Sequence, residues 1–124
     1  MQRFAIVLAA VIALPGAAFA QSNPLLGTWT RDTGASKINF APCGGSICGT
    51  ISWLKDTSGK AKVGQRVFSN LKETGPGKYS GTAIDPEDGQ QYSGSITVNG
   101  NSLSGGGCVL GGLICKNVSY RRGG

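Results

Sequence analysis

Four cysteines have the widest chemical repertoire in this chain, because a thiol can form a disulfide, ligate a metal or act as a nucleophile. They stand at Cys43, Cys48, Cys108 and Cys115. Neither spacing is Cys-x-x-Cys, the motif typical of thiol–disulfide oxidoreductases and of many zinc sites. An even number of cysteines favours disulfides when a chain is exported, and residues 1–20 resemble an export signal. The cysteines therefore predict two disulfides and no metal site.

Turn residues between the cysteines indicate how they pair. Cys43 and Cys48 lie symmetrically about the Gly-Ser at 45–46, and the second pair lies symmetrically about the Gly-Gly at 111–112. Glycine supplies the positive φ of tight hairpin turns, and opposed residues of a hairpin lie within disulfide range. The spacing favours the two local pairs, and crossed bridges between the two hairpins remain the alternative.

The densest group of carboxylates is the run Asp85–Gly89, which contains three acids. Carboxylate oxygens are calcium ligands, but Asp-Pro begins turns and Asp-Gly ends them. Acids crowded at one hairpin tip also do not face each other across a cleft, as the paired carboxylates of a glycosidase must. We interpret this run as a turn, with calcium binding as the less favoured alternative.

Histidine is absent from the sequence. Its absence excludes Ser-His-Asp and Cys-His catalysis and removes the commonest ligand of catalytic zinc. The serines at 46, 52, 93 and 95 have no histidine to activate them, and nothing marks a Ser–Lys dyad. We expect a protein that is not an enzyme and that needs no cofactor.

Residues 1–20 are typical of a cleavable bacterial export signal of the Sec type. Arg3 gives a positive start, Phe4–Leu14 is an apolar run, and Ala18-Phe19-Ala20 resembles a cleavage site. The run is too short for a permanent membrane span. We predict a signal peptide at 1–20, one domain at 21–124, and a periplasmic or secreted location.

The sequence is basic, with a formal net charge of +6. The one basic cluster is Lys55, Lys60, Lys62 and Arg66, and no aromatic residue is interleaved with it. A nucleic-acid surface needs both kinds of residue, so we expect no nucleic-acid partner. We interpret the cluster as a solvated loop, with attraction to an anionic envelope component as the alternative.

Short alternating runs rich in glycine dominate the chain, and no segment after the signal has a helical period. These runs predict an all-β antiparallel meander of seven or eight strands that closes into a small β-barrel. The predicted strands are Leu26–Arg31, Ser36–Ala41, Ile47–Leu54, Lys78–Ile84, Gln91–Val98, Asn101–Gly106 and Ile114–Arg121, with a short strand or a turn of helix at Arg66–Leu71.

Alternation also predicts which side chains point into the barrel. The inward set is Trp29, Ile38, Phe40, Ile51, Trp53, Tyr92, Ile96, Val98, Leu103, Val118 and Tyr120. Glycines within the strands, at 81, 94 and 105–107, have two interpretations. They permit tight bends of a small barrel, or they leave room for an internal cavity that holds one small ligand. For the second case, the predicted ligand-lining residues are Trp29, Phe40, Trp53, Tyr92 and Tyr120.

Two motifs resemble those of lipocalins and related calycin barrels. Gly27-Thr28-Trp29 opens the first strand, and Tyr120-Arg121 closes the last. The resemblance implies a calycin-like barrel in which the Trp plugs one end and the Arg packs across its ring.

A longer set of motifs resembles the exported bacterial proteins grouped as domain of unknown function 2147. The motifs are Gly27-Thr28-Trp29, the segment 48–54 (Cys-Gly-Thr-Ile-Ser-Trp-Leu), the segment 85–92 and the segment 108–111, in that order. The resemblance covers Leu25–Arg122 and implies a small secreted β-barrel-like domain without established catalytic residues.

Two functions fit these observations. The first is a non-catalytic binding domain of the bacterial envelope that holds a small apolar or amphipathic ligand. The second is an envelope protein-interaction or structural module without an internal ligand. We expect a monomer in either case.

Overall fold

The computed structural model describes residues 23–123. Eight strands there form one closed antiparallel barrel in which each strand bonds to the next and the first bonds to the last. They are β1 (Gly27–Arg31), β2 (Ser36–Pro42), β3 (Ile47–Leu54), β4 (Arg66–Gly75), β5 (Lys78–Ile84), β6 (Gln91–Asn99), β7 (Ser102–Val109) and β8 (Ile114–Arg122). The prediction of an all-β meander closing into a barrel is confirmed.

The signal peptide predicted at residues 1–20 lies outside the described residues. Within residues 23–123, no helix is long and apolar enough to cross a membrane.

Strand alternation explains how the barrel encloses a core. In β6, Tyr92, Gly94 and Ile96 are buried while the residues between them are exposed. Successive strand residues point to opposite faces, so one face of each strand turns inward. Closure of the sheet then leaves no unpaired edge strand.

Strand β4 is longer than predicted. The sequence predicted a short strand or helical turn ending at Leu71, whereas the strand continues to Gly75. Asn70 has a φ of 54°, and the pairing with β5 shifts between Ser69 and Lys72. A bulge at this point interrupts the period of two from which strands are recognised in a sequence.

The prediction that Trp53 points inward is wrong. Lys37 pairs with Trp53, but the next residue, Ile38, pairs with Ile51, so β3 carries one extra residue. A shift of one residue exchanges the two faces of a strand. Trp53 is therefore 42 % exposed, with the Lys37 ammonium 5.4 Å from its ring centroid. Leu54 packs against the core instead.

The core is one apolar cluster inside the barrel. It contains Leu25, Trp29, Ile38, Phe40, Ile51, Val67, Phe68, Leu71, Tyr79, Ile96, Leu103 and Tyr120. Val98 and Val118 pack against it, and Tyr92 is also buried. Every residue predicted to point inward, apart from Trp53, is thus buried or packs against the core.

The prediction of inward residues omitted five residues of the core, which are Tyr79, Leu25, Val67, Phe68 and Leu71. The last three lie on β4, where the bulge breaks the alternation. Leu25 precedes β1 in a segment without a strand pattern, yet it is completely buried.

The two ends of the barrel differ. At one end, which we call the closed end, lie the N-terminal segment 23–26 and the tight turns β2–β3, β4–β5 and β6–β7. At the other, the open end, lie the longer loops 32–35, 55–65 and 85–90 and the β7–β8 turn at 110–113.

Each end carries one disulfide. Cys43 bonds to Cys48 at the closed end, and Cys108 bonds to Cys115 at the open end. The connectivity is therefore the local one. Disulfides persist in oxidising surroundings, so the pair of bridges indicates an extracytoplasmic compartment.

The two disulfides differ in register. Cys108 and Cys115 are directly paired across β7 and β8, as the turn symmetry predicts. At the closed end, by contrast, Cys48 pairs with Ala41. The tight turn there is at 44–45, one residue earlier than predicted, because both of these glycines have a positive φ. The closed-end disulfide consequently joins diagonal rather than opposed positions.

Candidate functional site

A cavity of about 740 Å³ lies at the open end of the barrel. Its wall is mostly apolar and comprises Ile38, Ile51, Leu54, Val67, Phe68, Ala83, Ile84 and Val118, together with the rings of Tyr92 and Tyr120. The charged residues that line it are Arg31, Lys55, Asp56, Asp85, Glu87 and Lys116. Ligand pockets span about 300–1,000 Å³ and combine apolar walls with a few polar groups. The cavity has that size and character.

Strand glycines shape both the barrel wall and the cavity. A Cβ on Gly81 would lie 2.6 Å from the carbonyl oxygen of Ser69, and a Cβ on Gly107 would lie 2.4 Å from the Cβ of Tyr92. Side chains at these positions would collide with neighbouring strands. Gly106 and Gly107 also line the cavity. Close contact with neighbouring strands thus requires glycine at 81 and 107, and the internal space of the second interpretation is present beside Gly106 and Gly107.

Trp29 closes the other end of the barrel and is 0 % exposed. Its indole Nε1–H donates to the carbonyl of Leu25 over 2.9 Å. The guanidinium carbon of Arg122 lies 4.2 Å from the Trp29 ring centroid. The same guanidinium donates to the carbonyls of Pro24, at 2.6 Å, and Leu26, at 3.4 Å. Arg122 therefore holds the N-terminal segment 23–26 across the closed end of the barrel.

The lipocalin resemblance implied that Arg121 packs on this ring, and that assignment is wrong by one residue. Trp29 pairs with Arg122, and Thr30 pairs with Arg121. Directly paired residues project to the same face of a sheet. Arg121 consequently lies on the outer face with Thr30, and Arg122 reaches the indole.

Tyr79 adds a second tie at the closed end. Its hydroxyl donates to the Oδ1 of Asn23 over 2.7 Å, and the backbone N–H of Leu25 donates to the same oxygen over 3.0 Å. Burial raises the pKa of Tyr79, and the nearby carboxylate of Glu73 raises it further. The phenol therefore stays protonated and remains a hydrogen-bond donor.

The residues predicted to line a ligand space have three different placements. Tyr92 and Tyr120 line the cavity. Trp29 and Phe40 are buried in the core and do not line it. Trp53 lies on the outer surface.

Arg31 is a cavity residue that sequence reasoning missed. The alternation that places Trp29 inward also places Arg31 inward two residues later, which was the available signal. Its guanidinium carbon lies 6.0 Å from the ring centroid of Tyr120. Burial is the main cause that raises the pKa of Tyr120, and the Arg31 charge opposes it.

Lys116 spans the cavity mouth. Its Nζ forms an ion pair with the carboxylate of Asp85 and lies 5.4 Å from the ring centroid of Tyr92. The hydrogen bond from Lys116 is the main cause that lowers the pKa of Asp85 below 3.8. The same bond raises the pKa of Lys116. This pair joins the 85–90 loop to β8 across the rim.

The acidic run at 85–89 forms a turn. The Oδ1 of Asp85 accepts from the backbone N–H of Glu87 over 2.8 Å, and the Oδ1 of Asp88 accepts from that of Gln90 over 2.8 Å. The backbone N–H of Gly89 donates to the carbonyl of Asp85 over 2.8 Å. Throughout 23–123, no group of three or more His, Cys, Asp and Glu side chains is placed to hold a metal ion.

The fold is similar to that of a solved structure from the human pathogen Helicobacter pylori. That structure is described as protein HP1028, which belongs to the lipocalin family. The two superpose with a TM-score of 0.63 over 81 % of this chain and 83 % of the other. Their sequences are 20 % identical, so the likeness concerns the fold alone. A comparison with curated protein sequences finds no match.

A family model matches residues 27–122, which span the barrel from its first strand to its last. The family is described as uncharacterized protein conserved in bacteria, DUF2147. The resemblance read from the motifs between Gly27 and Gly111 is thus confirmed. The chain belongs to the DUF2147 family of bacterial proteins.

Proposed function

We propose that this protein is a non-catalytic binding protein, periplasmic or secreted, whose barrel takes up a small apolar or amphipathic molecule. The observation that carries the proposal is the cavity of about 740 Å³ with a mostly apolar wall at the open end. An eight-stranded barrel either fills with side chains or holds one small ligand, and this barrel leaves space.

The packing at the closed end of the barrel supports the proposal. Trp29, with its Leu25 and Arg122 partners, seals one end, so a bound molecule has a single route of entry at the other. The barrel needs no conformational change of its strands to admit a ligand, since the cavity already opens between the loops. The lipocalin description of HP1028 supports the same function by analogy of fold.

Native mass spectrometry of the protein purified from its own envelope, with both disulfides intact, tests the proposal. We expect a retained small molecule that leaves on denaturation. A clean apo mass that persists after incubation with apolar probes contradicts binding in the cavity.

A cavity-filling substitution gives a sharper test. Val118 lines the cavity from β8, and Ser119 on the same strand is exposed. Val118→Trp should reduce ligand retention about tenfold or more, because an indole occupies the space that the ligand needs. Ser119→Trp, the matched control, should retain the ligand. Equal retention by both variants would place the ligand outside the barrel.

A second candidate function is an envelope protein-interaction module without an internal ligand. It is favoured by one observation at the β7–β8 turn, where Leu110, Leu113 and Ile114 are 70 %, 80 % and 48 % exposed. The basic loop Lys55–Arg66 offers an additional contact for an anionic envelope component. We propose a monomer for the isolated protein in both cases, without nucleic-acid partners.

The two candidates are separated by a double variant. Leu110→Ser with Leu113→Ser removes the exposed apolar tip but leaves the cavity wall intact. Under the binding function, the double variant retains the small molecule as the parent does. Under the interaction function, the parent carries no small molecule. A partner protein can then be cross-linked to the β7–β8 turn of the parent but not to that of the variant.

A further inference from the structure

Among the described residues, one buried side-chain nitrogen or oxygen has no hydrogen-bond partner, and it is the Nε of Arg31. This atom belongs to an inward-facing residue that lines the cavity. The nearest carboxylate oxygen is Oδ1 of Asp32, at 3.6 Å. That distance exceeds the range of an N–H···O hydrogen bond, so Asp32 offsets part of the charge without accepting the proton.

A buried donor without an acceptor is unfavourable, and the cost is larger for a charged group. Such a group in a core is normally paired. Arg31 is an exception at its Nε, and because that atom is enclosed by protein, a molecule in the cavity would meet Arg31 through the terminal nitrogens of the guanidinium. A guanidinium in this position presents several N–H donors in a fixed plane, which matches carboxylate and phosphate oxygens.

The other charged groups of the wall have partners or oppose one another. Lys116 is paired with Asp85. Asp56 accepts from the backbone N–H and the hydroxyl of Ser58, at 2.9 Å and 2.6 Å. Hydrogen bonds from Ser58 lower the pKa of Asp56, so this carboxylate is already engaged as an anion.

Lys55 and Glu87 have opposite charges, and both are exposed at the mouth. Because Lys55 and Glu87 have opposite charges, together they add no net charge to the mouth of the cavity. Arg31 remains as a charged residue of the wall that is only partly exposed, at 32 %, and that has no hydrogen-bond acceptor at its Nε.

We propose that the cavity selects a single-chain amphiphile with an anionic oxygen head group, and that Arg31 binds that head group. The inference rests on the proposed binding function and names its ligand class. The head-group oxygen accepts from Arg31, and the apolar chain lies along the wall formed by residues such as Ile38, Ile51 and Phe68.

The neighbours of Arg31 hold it in a suitable position. Arg31 is the last residue of β1 and pairs directly with Tyr120 of β8. The guanidinium lies over the buried Tyr120 ring at 6.0 Å from its centroid. An arginine that rests on an aromatic ring loses less freedom on binding an anion. The charge therefore stands at the level where the apolar wall meets the mouth.

Four probes of equal chain length test the proposal on the delipidated, disulfide-intact protein. They are lauric acid, lauryl phosphate, lauryl alcohol and laurylamine, each measured by calorimetry below its micelle concentration at neutral pH. We expect both anions to bind about tenfold or more tightly than the alcohol, because a hydrogen bond to a charged group contributes on that scale. We expect the amine to bind no better than the alcohol.

Variants assign the preference to Arg31. Arg31→Gln should abolish the preference for the anions while the affinity for lauryl alcohol changes less than about twofold. Arg31→Lys should keep part of the preference, because the charge remains without the planar fork. Arg121→Gln removes an outward-facing arginine from the neighbouring strand and is the matched control, which should behave as the parent.

The outcomes separate the two proposals. Equal affinity of the parent protein for acid, phosphate and alcohol overturns the anionic head group and leaves apolar binding in place. This comparison uses the parent alone, so it holds even when a variant fails to fold. An unchanged preference in folded Arg31→Gln also overturns the assignment. Failure of all four probes to bind contradicts the binding function itself.

Discussion

The closed and open ends of this barrel are built from the same eight strands but contain different kinds of contact. At the closed end, an indole, a guanidinium and the segment 23–26 make direct hydrogen bonds and ring contacts with one another. At the open end, longer loops surround a cavity, and an ion pair between Lys116 and Asp85 joins β8 to the 85–90 loop.

Under the proposed binding function, this difference would place the contacts that stabilise the fold and the site that holds a ligand at opposite ends of one small domain. The closed end is packed and hydrogen-bonded, whereas the open end contains unfilled space and the unpaired Nε of Arg31. Sites of binding commonly include such unfavourable features, which the rest of a fold must offset. Substitutions at the two ends should therefore affect different measurements.

The largest effect is expected from the two tryptophans, which lie on either side of the barrel wall. Trp29→Ala removes a fully buried ring together with its hydrogen bond, and it should lower the free energy of unfolding by about 3–5 kcal/mol. Trp53→Ala removes a ring that is 42 % exposed and should cost about 1 kcal/mol or less. Urea denaturation of both variants provides the measurement. Equal losses of the free energy of unfolding in the two variants would contradict the distinction between the closed end and the outer face of the barrel.

A smaller effect is expected from the two neighbouring arginines of β8. Arg122→Ala removes the cation from the Trp29 ring and frees the N-terminal segment, so it should lower the free energy of unfolding by about 1–2 kcal/mol. Arg121→Ala should change it by about 0.5 kcal/mol or less. Ligand affinity should be unchanged in both. If Arg122→Ala instead weakened binding without loss of stability, the closed end would take part in recognition.

The smallest effect is expected at the rim and depends on pH. The folded-state pKa of Asp85 is lowered by Lys116, so its stabilising contribution is present above the ordinary pKa of 3.8 and is lost as the pH falls below it. Asp85→Asn should therefore lower the Tm at pH 7 by about 2 °C or less. The difference in Tm between this variant and the parent should shrink as the pH falls below 3.8.

Asp88→Asn is the control for this titration. It keeps the Oδ1 that accepts from Gln90, and Asp88 makes no ion pair with Lys116. A thermal melt at pH 7 should show little difference between this variant and the parent, because the hydrogen bond to Gln90 is kept. A gap for Asp85→Asn that persists in acid would mean that the substitution disturbs the turn rather than the ion pair.

Local signals in the sequence predicted most of the fold. The alternation in β6 and the glycines between the cysteines each concern residues that are close in the chain. Nearest-neighbour strands connected by tight turns then admit few arrangements besides a meander. The strand order, the local disulfides and most inward residues follow from such short-range patterns.

Two kinds of feature could not be predicted from the sequence. Bulges in β3 and β4 exchange the inner and outer faces, so Trp53 was placed inside and Val67 and Phe68 were overlooked. A bulge is fixed by pairing with the neighbouring strand, which a single strand does not reveal. The position of Arg31 in the cavity wall was not predicted for another reason. A charged residue at the end of a strand is normally interpreted as exposed to solvent, even where the alternation places it inward. The burial of the Arg31 Nε becomes visible only when the surrounding strands are in place.

The seam between β1 and β8 also has a consequence for the order in which the chain can fold. The guanidinium of Arg122 contacts the carbonyl of Pro24, which is 98 residues away in sequence. Closing so long a loop costs conformational entropy before any contact compensates for it. Hairpins between successive strands involve far shorter loops and can form earlier. A chain made from its N-terminus thus has no guanidinium over the Trp29 indole until its last strand is available, and we expect closure of the sheet to be a late step of folding.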